Sequence, residues 1–181
     1  MIDARIIRDL LHIVPRPPEA AIPEGLSDYD LDAFVQRTGI DLPNELREWL
    51  KISNGPCVGP GGLLGIRPER KALDIELVLD ILPSWRTKKW IPVAGDGCGN
   101  SYICPSTWGY GTCCPVMFID TIEGVDSPSY VVASSVGHFL IAILEREVGA
   151  RGWPFDRDTV IAADPEMLNV TGVPMPWKER L

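Results

Sequence analysis

Between Trp90 and Leu144 the chain holds four short runs rich in β-branched and aromatic residues, joined by connections too short for crossover helices. These runs are Trp90–Ala94, Asn100–Cys104, Val116–Ile119 and Tyr130–Ala133, each bounded by Gly, Pro, Asn or Asp. Strands connected this tightly pair antiparallel. The last run leads directly into the strongest helical pattern of the sequence. Val136, Phe139, Leu140, Ile143 and Leu144 follow i, i+3, i+4, i+7 and i+8, with Ser134 or Ser135 as cap and Gly149 as stop.

The residues before the sheet read as helices. Ile2, Ile6, Leu10 and Ile13 recur at near-helical spacing behind Asp3, a candidate N-cap, and Pro15 ends the helix. The stretch PRPPEAAIPEG is a connector that cannot be helical. Ser27 starts a second helix, with Asp30 at its third position and Leu26 and Leu31 placed as a hydrophobic staple. Leu31, Phe34 and Val35 form its inward stripe, and Gly39 supplies a left-handed stop. Pro43 falls near the first turn of a third helix that buries Leu46, Trp49 and Leu50 and ends at Asn54-Gly55-Pro56. The segment GPGGLLG predicts a turn running into a short strand near Leu63–Ile66, and Asp74 predicts the cap of a fourth helix through Leu82.

The expected fold is therefore α+β: a mostly antiparallel sheet of about four to six strands, with N-terminal helices and a closing C-terminal helix packed on one face. The expected organisation is an N-terminal helix and Pro-rich connector over 1–21, an α+β domain over 22–149, and a Pro-rich tail over 150–181 packed on that domain. Trp153, Phe155 and Trp177 are the tail's candidate anchors. At 181 residues the chain buries roughly 70% of its unfolded surface, so it needs no disulfide or metal to hold it.

Charge narrows the function classes. The net charge is −8, and from Trp90 to Leu144 there is no Lys or Arg, while Asp96, Asp120, Glu123 and Asp126 contribute −4. Residues 19–48 carry eight acids against Arg37 and Arg47. Such a chain repels phosphate backbones and attracts basic partners, which argues against direct nucleic-acid binding. Asp3 and Asp9 interrupt the N-terminal apolar residues, which argues against a signal peptide, and no run approaches the roughly 20 apolar residues of a membrane span. Five cysteines cannot all pair internally, and reduced thiols in a cytoplasmic protein are the simplest reading.

Chemistry-bearing residues are sparse. Asp96, Gly97, Gly99 and Asn100 lack the alternating acids of a calcium loop and read as a hairpin turn. Cys98, Cys104, Cys113 and Cys114 lack the paired spacing of a structural zinc site, so no metal or cofactor is expected. Of two histidines, His138 could be drafted with Ser134 and Asp120 into a hydrolytic triad, or set against Cys57. No nucleophile-elbow pattern surrounds any serine, and a non-enzyme is expected.

Four strings, in order, carry a resemblance. IDLPNELREWLKISNG (Ile40–Gly55), WIPVAGDGCGNSYICP (Trp90–Pro105), PVMFIDT (Pro115–Thr121) and YVVASSVGHFLIAIL (Tyr130–Leu144) resemble successive motifs of the SUKH superfamily. The likeness covers roughly Ile22 to Val148. It implies a non-enzymatic binding scaffold of the kind found in bacterial toxin-immunity proteins and in fungal regulators of cell-wall assembly. The leading expectation is an immunity protein, monomer or weak dimer, that neutralises a basic toxin domain by direct binding. Its expected contact face comprises Trp90, Asp96, Asn100, Tyr102, Trp108, Tyr110, Asp120, Glu123 and Asp126. A regulatory or scaffolding module with a cellular partner is the alternative, and an uncharacterised hydrolase the third reading.

Overall fold

The computed structural model describes residues 3–17, 20–107, 110–112 and 114–177. Helix α1 (Ala4–Ile13) begins where the Asp3 carboxylate accepts hydrogen bonds from the backbone N–H groups of Arg5 and Ile6. Its buried stripe is Ile7, Leu11 and Val14. The other stripe, Ile6, Leu10 and Ile13, is half-buried at Leu10 and largely exposed at its ends, and Ile2 lies outside the described residues. Both stripes have helical spacing, so periodicity alone could not choose between them.

Helices α2 (Asp28–Thr38) and α3 (Asn44–Ile52) follow the local chemistry closely. Ser27 and Asp30 form a reciprocal capping box, and Gly39 closes α2 at φ 69°. Leu31 and Phe34 from α2 meet Leu46, Trp49 and Leu50 from α3 in one core, with Val35 partly buried beside them. The acids of α2 are largely spent within the helix pair: Asp32 pairs with Arg47 at 2.5 Å, and Asp28 with Lys51.

Leu63–Ile66 does not become a strand. It makes isolated bridges, Leu63 to Ala94 and Gly65 to Asp74, because Asn54 takes both backbone groups of Ile66 with its side-chain amide. Helix α4 (Ile75–Ile81) starts after Asp74, whose carboxylate accepts from the Arg67 N–H rather than capping the helix. Pro83 does not end the helical region either. It occupies the first turn of a further helix, α5 (Pro83–Lys88), where its missing N–H leaves no bond unmade.

The sheet is a meander of β1 (Trp90–Gly95), β2 (Ser101–Pro105), β3 (Val116–Ile119) and β4 (Tyr130–Ala133), all antiparallel in that order. Ile91 faces Cys104, Tyr102 faces Phe118, and Phe118 faces Tyr130. Helix α6 (Val136–Glu147) packs against β4, and α1 and α3 pack against α6. The mixed α+β architecture, with its antiparallel sheet and flanking helices, is the one the sequence predicts.

Beyond α6 the chain is more ordered than its prolines suggest. Asp156 caps α7 (Arg157–Ala163) by accepting from the Thr159 N–H, and a 3-10 turn spans Pro165–Asn169. Trp153 packs on the main core and donates its indole N–H to the Val132 carbonyl at 2.8 Å. A second small cluster of Val131, Val160, Met167 and Val170 joins this segment to β4, with Trp177 partly buried against it.

Candidate binding surface

Two loops meet at one end of the sheet, because Ser101 at the start of β2 lies opposite Ile119 at the end of β3. The first is the β1–β2 turn. Asp96 Oδ1 accepts from the N–H groups of Cys98 and Asn100 at 2.7 and 3.0 Å, and its Oδ2 accepts from the Asn100 amide at 2.7 Å. Gly97 and Gly99, at φ 81° and 98°, supply the left-handed positions this turn requires. Asn100 Oδ1 then accepts from both the N–H and the hydroxyl of Thr121, which fastens the turn to the second loop.

That second loop, 120–129, is held at several points. Asp120 Oδ1 accepts from the Ile122 N–H, and the Asp120 N–H donates to the Ser129 hydroxyl. On the α5 side, buried Trp85 donates its indole N–H to the Val125 carbonyl at 2.7 Å, and Lys88 donates to both the carbonyl and the carboxylate of Asp126 at 2.6 Å. The Lys88 hydrogen bond and charge hold the Asp126 carboxyl below its ordinary range. Within this fastened loop Ile122 is 94% exposed. Glu123 follows it, and its carboxylate has no ion pair or hydrogen bond among the described residues.

Beneath the loop runs an aromatic row. Tyr130 stacks on Phe118 with ring centres 5.0 Å apart and meets Phe155 edge-on at 5.8 Å, and Phe155 is 60% exposed. Burial pushes the Tyr130 hydroxyl up to about 12, and Tyr102, Asp120, Asp96 and Glu123 add to the rise. The sign follows directly. The unfolded tyrosine releases its proton near 10 and the folded one near 12, so the folded state binds more protons across that window. Stability is expected to hold up to about pH 10 and to fall from there to about 12. Urea melts at stepped alkaline pH check this. Tyr130→Phe is expected to flatten the fall, leaving the part due to Tyr102, whose hydroxyl burial also raises.

The expected contact face is thus only partly assembled at the surface. Asp96, Asn100, Asp120 and Glu123 come together, while Asp126 is turned toward Lys88. Trp90 and Tyr102 are corrections: both are buried and act as core. Trp90 sits edge-on to Trp85 with the Lys88 ammonium 4.6 Å above its ring. Tyr102 lies among Phe118, Phe139 and Trp153. Their neighbours carry the sign of this, since Trp90–Ala94 and Tyr102–Cys104 are continuous apolar runs of the kind found in strands buried on both faces. Trp108 lies outside the described residues, and Tyr110 is partly buried, its carbonyl accepting from the Thr171 N–H. Ile122 is not among the residues the sequence singles out, and Phe155, expected as an anchor of the C-terminal tail, is instead largely exposed. The string DTIEGVD, an isoleucine among three acids in a turn, is the signal for the first.

A separate polar cluster bears on the hydrolase reading. Asp164, not Asp120, stands against Ser134 and His138. Ser134 donates its hydroxyl proton to Asp164 Oδ1 at 2.6 Å and its N–H to Oδ2 at 2.8 Å. The His138 Nδ1 atom alone meets Ser134, Ser135 and Asp164, at 3.2, 3.3 and 3.2 Å. A catalytic triad places the serine and the carboxylate on opposite ring nitrogens and leaves the serine proton to the base. Here both share one nitrogen and the carboxylate holds the serine, which makes a clamp joining β4, α6 and α7.

Cys98 is exposed in the β1–β2 turn and Cys104 is buried near the far end of β2, where burial raises its thiol well above the ordinary range. Cys113 lies outside the described residues. Among the described residues no group of three or more His, Cys, Asp or Glu side chains could hold a metal ion. No helix among them is long and apolar enough to cross a membrane.

No curated protein matches the chain. Its residues 25–142, from just before α2 to within α6, match the SMI1 / KNR4 family (SUKH-1), so the chain belongs to that family.

Proposed function

We propose that this chain is a non-enzymatic immunity protein of the cytoplasm, neutralising a toxin domain of basic surface through the acidic loops at the 96–100 and 120–126 end of the sheet. The observation that carries the reading is Ile122, held 94% exposed between Asp120 and Glu123 on a loop fastened to α5 and to the neighbouring turn. An exposed apolar side chain flanked by carboxylates on a fastened loop suits a basic partner: the isoleucine supplies desolvated contact and the acids speed and orient encounter. Exposed Phe155 beside Tyr130 extends the same surface. Family membership supports a binding role, and the Ser134–His138–Asp164 clamp supports the absence of hydrolytic chemistry.

The test uses the tagged chain as bait at low and moderate salt, followed by purification of the captured toxin domain and an assay of its neutralisation. Wild-type chain is expected to abolish toxin activity at one-to-one stoichiometry. Glu123→Lys is expected to slow association about tenfold at low salt, with the difference shrinking as salt rises. Ile122→Ala is expected to act instead on dissociation. Equal neutralisation by wild type and by the Ile122→Ala, Glu123→Lys double variant would place the contact elsewhere. A captured partner with no toxic activity would favour a regulatory module.

A further inference from the structure

A cleft of about 250 Å³ lies between α6 and α7, walled by Val132, Ile141, Ala142, Trp153, Val160 and Ala163. Most of its lining comes from beyond residue 142, where the family match ends. Small-molecule sites are concave, mostly apolar and common between helices.

We infer that this cleft binds a small uncharged aromatic molecule. Three observations select that chemistry. The first is the balance of the polar lining. His138 and Asp164 at one end are bonded to one another and to Ser134. Arg146 is taken by Glu147 at 2.9 Å and lies 5.4 Å from the Trp153 ring centre. Glu145 and Arg151 carry opposite charges. Among the lining residues two carboxylates, Glu145 and Asp164, are matched by two guanidiniums, Arg146 and Arg151, so the site offers an ion neither a net charge nor an unpaired buried donor. The second is Trp153, whose ring is fixed in place by its hydrogen bond to Val132 and presents an aromatic wall. The third is size. An apolar cavity of about 150 Å³ accepts one benzene ring, so 250 Å³ suits two fused rings. Nothing in this inference depends on the toxin-binding reading, since none of the loop acids lines the cleft.

Indole is the probe. Titration of the full chain, followed by calorimetry and by NMR, is expected to give saturable one-to-one binding, a higher melting temperature, and nuclear Overhauser contacts from indole to Trp153, Val160 and Ile141. Ala142→Leu on α6 and Ala163→Leu on α7 fill the cleft from opposite walls, and either is expected to weaken binding at least tenfold while melting stays cooperative. Absence of saturable binding to the wild-type chain overturns the inference, as do contacts mapping to residues elsewhere. Unchanged affinity in a folded filled variant does the same.

Discussion

Replacement of Trp85 by alanine is expected to lower stability by about 3–5 kcal/mol, the usual cost of emptying a fully buried aromatic site. Trp85 is wholly inaccessible, packs edge-on against Trp90, and donates to the Val125 carbonyl across forty residues of sequence. Its loss removes core contacts and also leaves that carbonyl of the acidic loop without its bond. Trp85→Phe separates the two effects. It keeps most of the apolar volume and is expected to cost about half as much, while protection of the 120–126 amides from hydrogen exchange falls. Urea denaturation gives the stability and exchange gives the loop. Unchanged amide protection in Trp85→Phe would mean that the loop's other bonds hold it without the indole.

Asp164→Ala is expected to cost about 3 kcal/mol, because it strands two buried donors, the N–H and the hydroxyl of Ser134. Asp164→Asn keeps an acceptor for the N–H and can donate to the serine oxygen, so a loss nearer 1 kcal/mol is expected. The effect should concentrate at the junction of α6 and α7, where this carboxylate joins the two helices. Denaturant midpoints for the two variants provide the check, and a cost for Asp164→Ala below that of Asp164→Asn would refute the clamp. On the toxin-binding reading proposed above, neutralisation by Asp164→Asn is expected to equal that of the wild type.

What could be read in advance was what neighbouring residues decide among themselves. The capping box at Ser27 and Asp30, the left-handed stop at Gly39 and the bounds of β3 and β4 all follow from chemistry within a few positions. The inward stripe of α1 could not be chosen, because the selecting partners lie on α3 and α6. Helix α5 was hidden behind Pro83, which serves equally as a stop or as a first turn. In the candidate surface, Asp96 and Asn100 were legible as a turn, yet their bond to Thr121 spans twenty-one residues and is set by sheet register. Trp90 and Tyr102 carried the look of exposed anchors because amphipathic aromatics suit either place, and only the layers on both faces of the sheet put them inside. Asp164 lies thirty residues from Ser134, so only the fold could bring that carboxylate, rather than the Asp120 of the rejected triad, against the serine.

The margins of the sheet have a consequence for how this molecule can associate. Outside β1, Leu64 donates to Val93 and Gly95 donates to Gly62, and outside β4, Val131 donates to Pro174. Irregular chain thus occupies main-chain positions along both borders, and Pro174 itself has no N–H with which to continue a ladder. A fifth strand from another polypeptide would meet the edge groups of Val93, Gly95 and Val131 already engaged. Strand addition, the common hazard of a four-stranded meander, is thereby obstructed at both borders by the chain's own flanking segments.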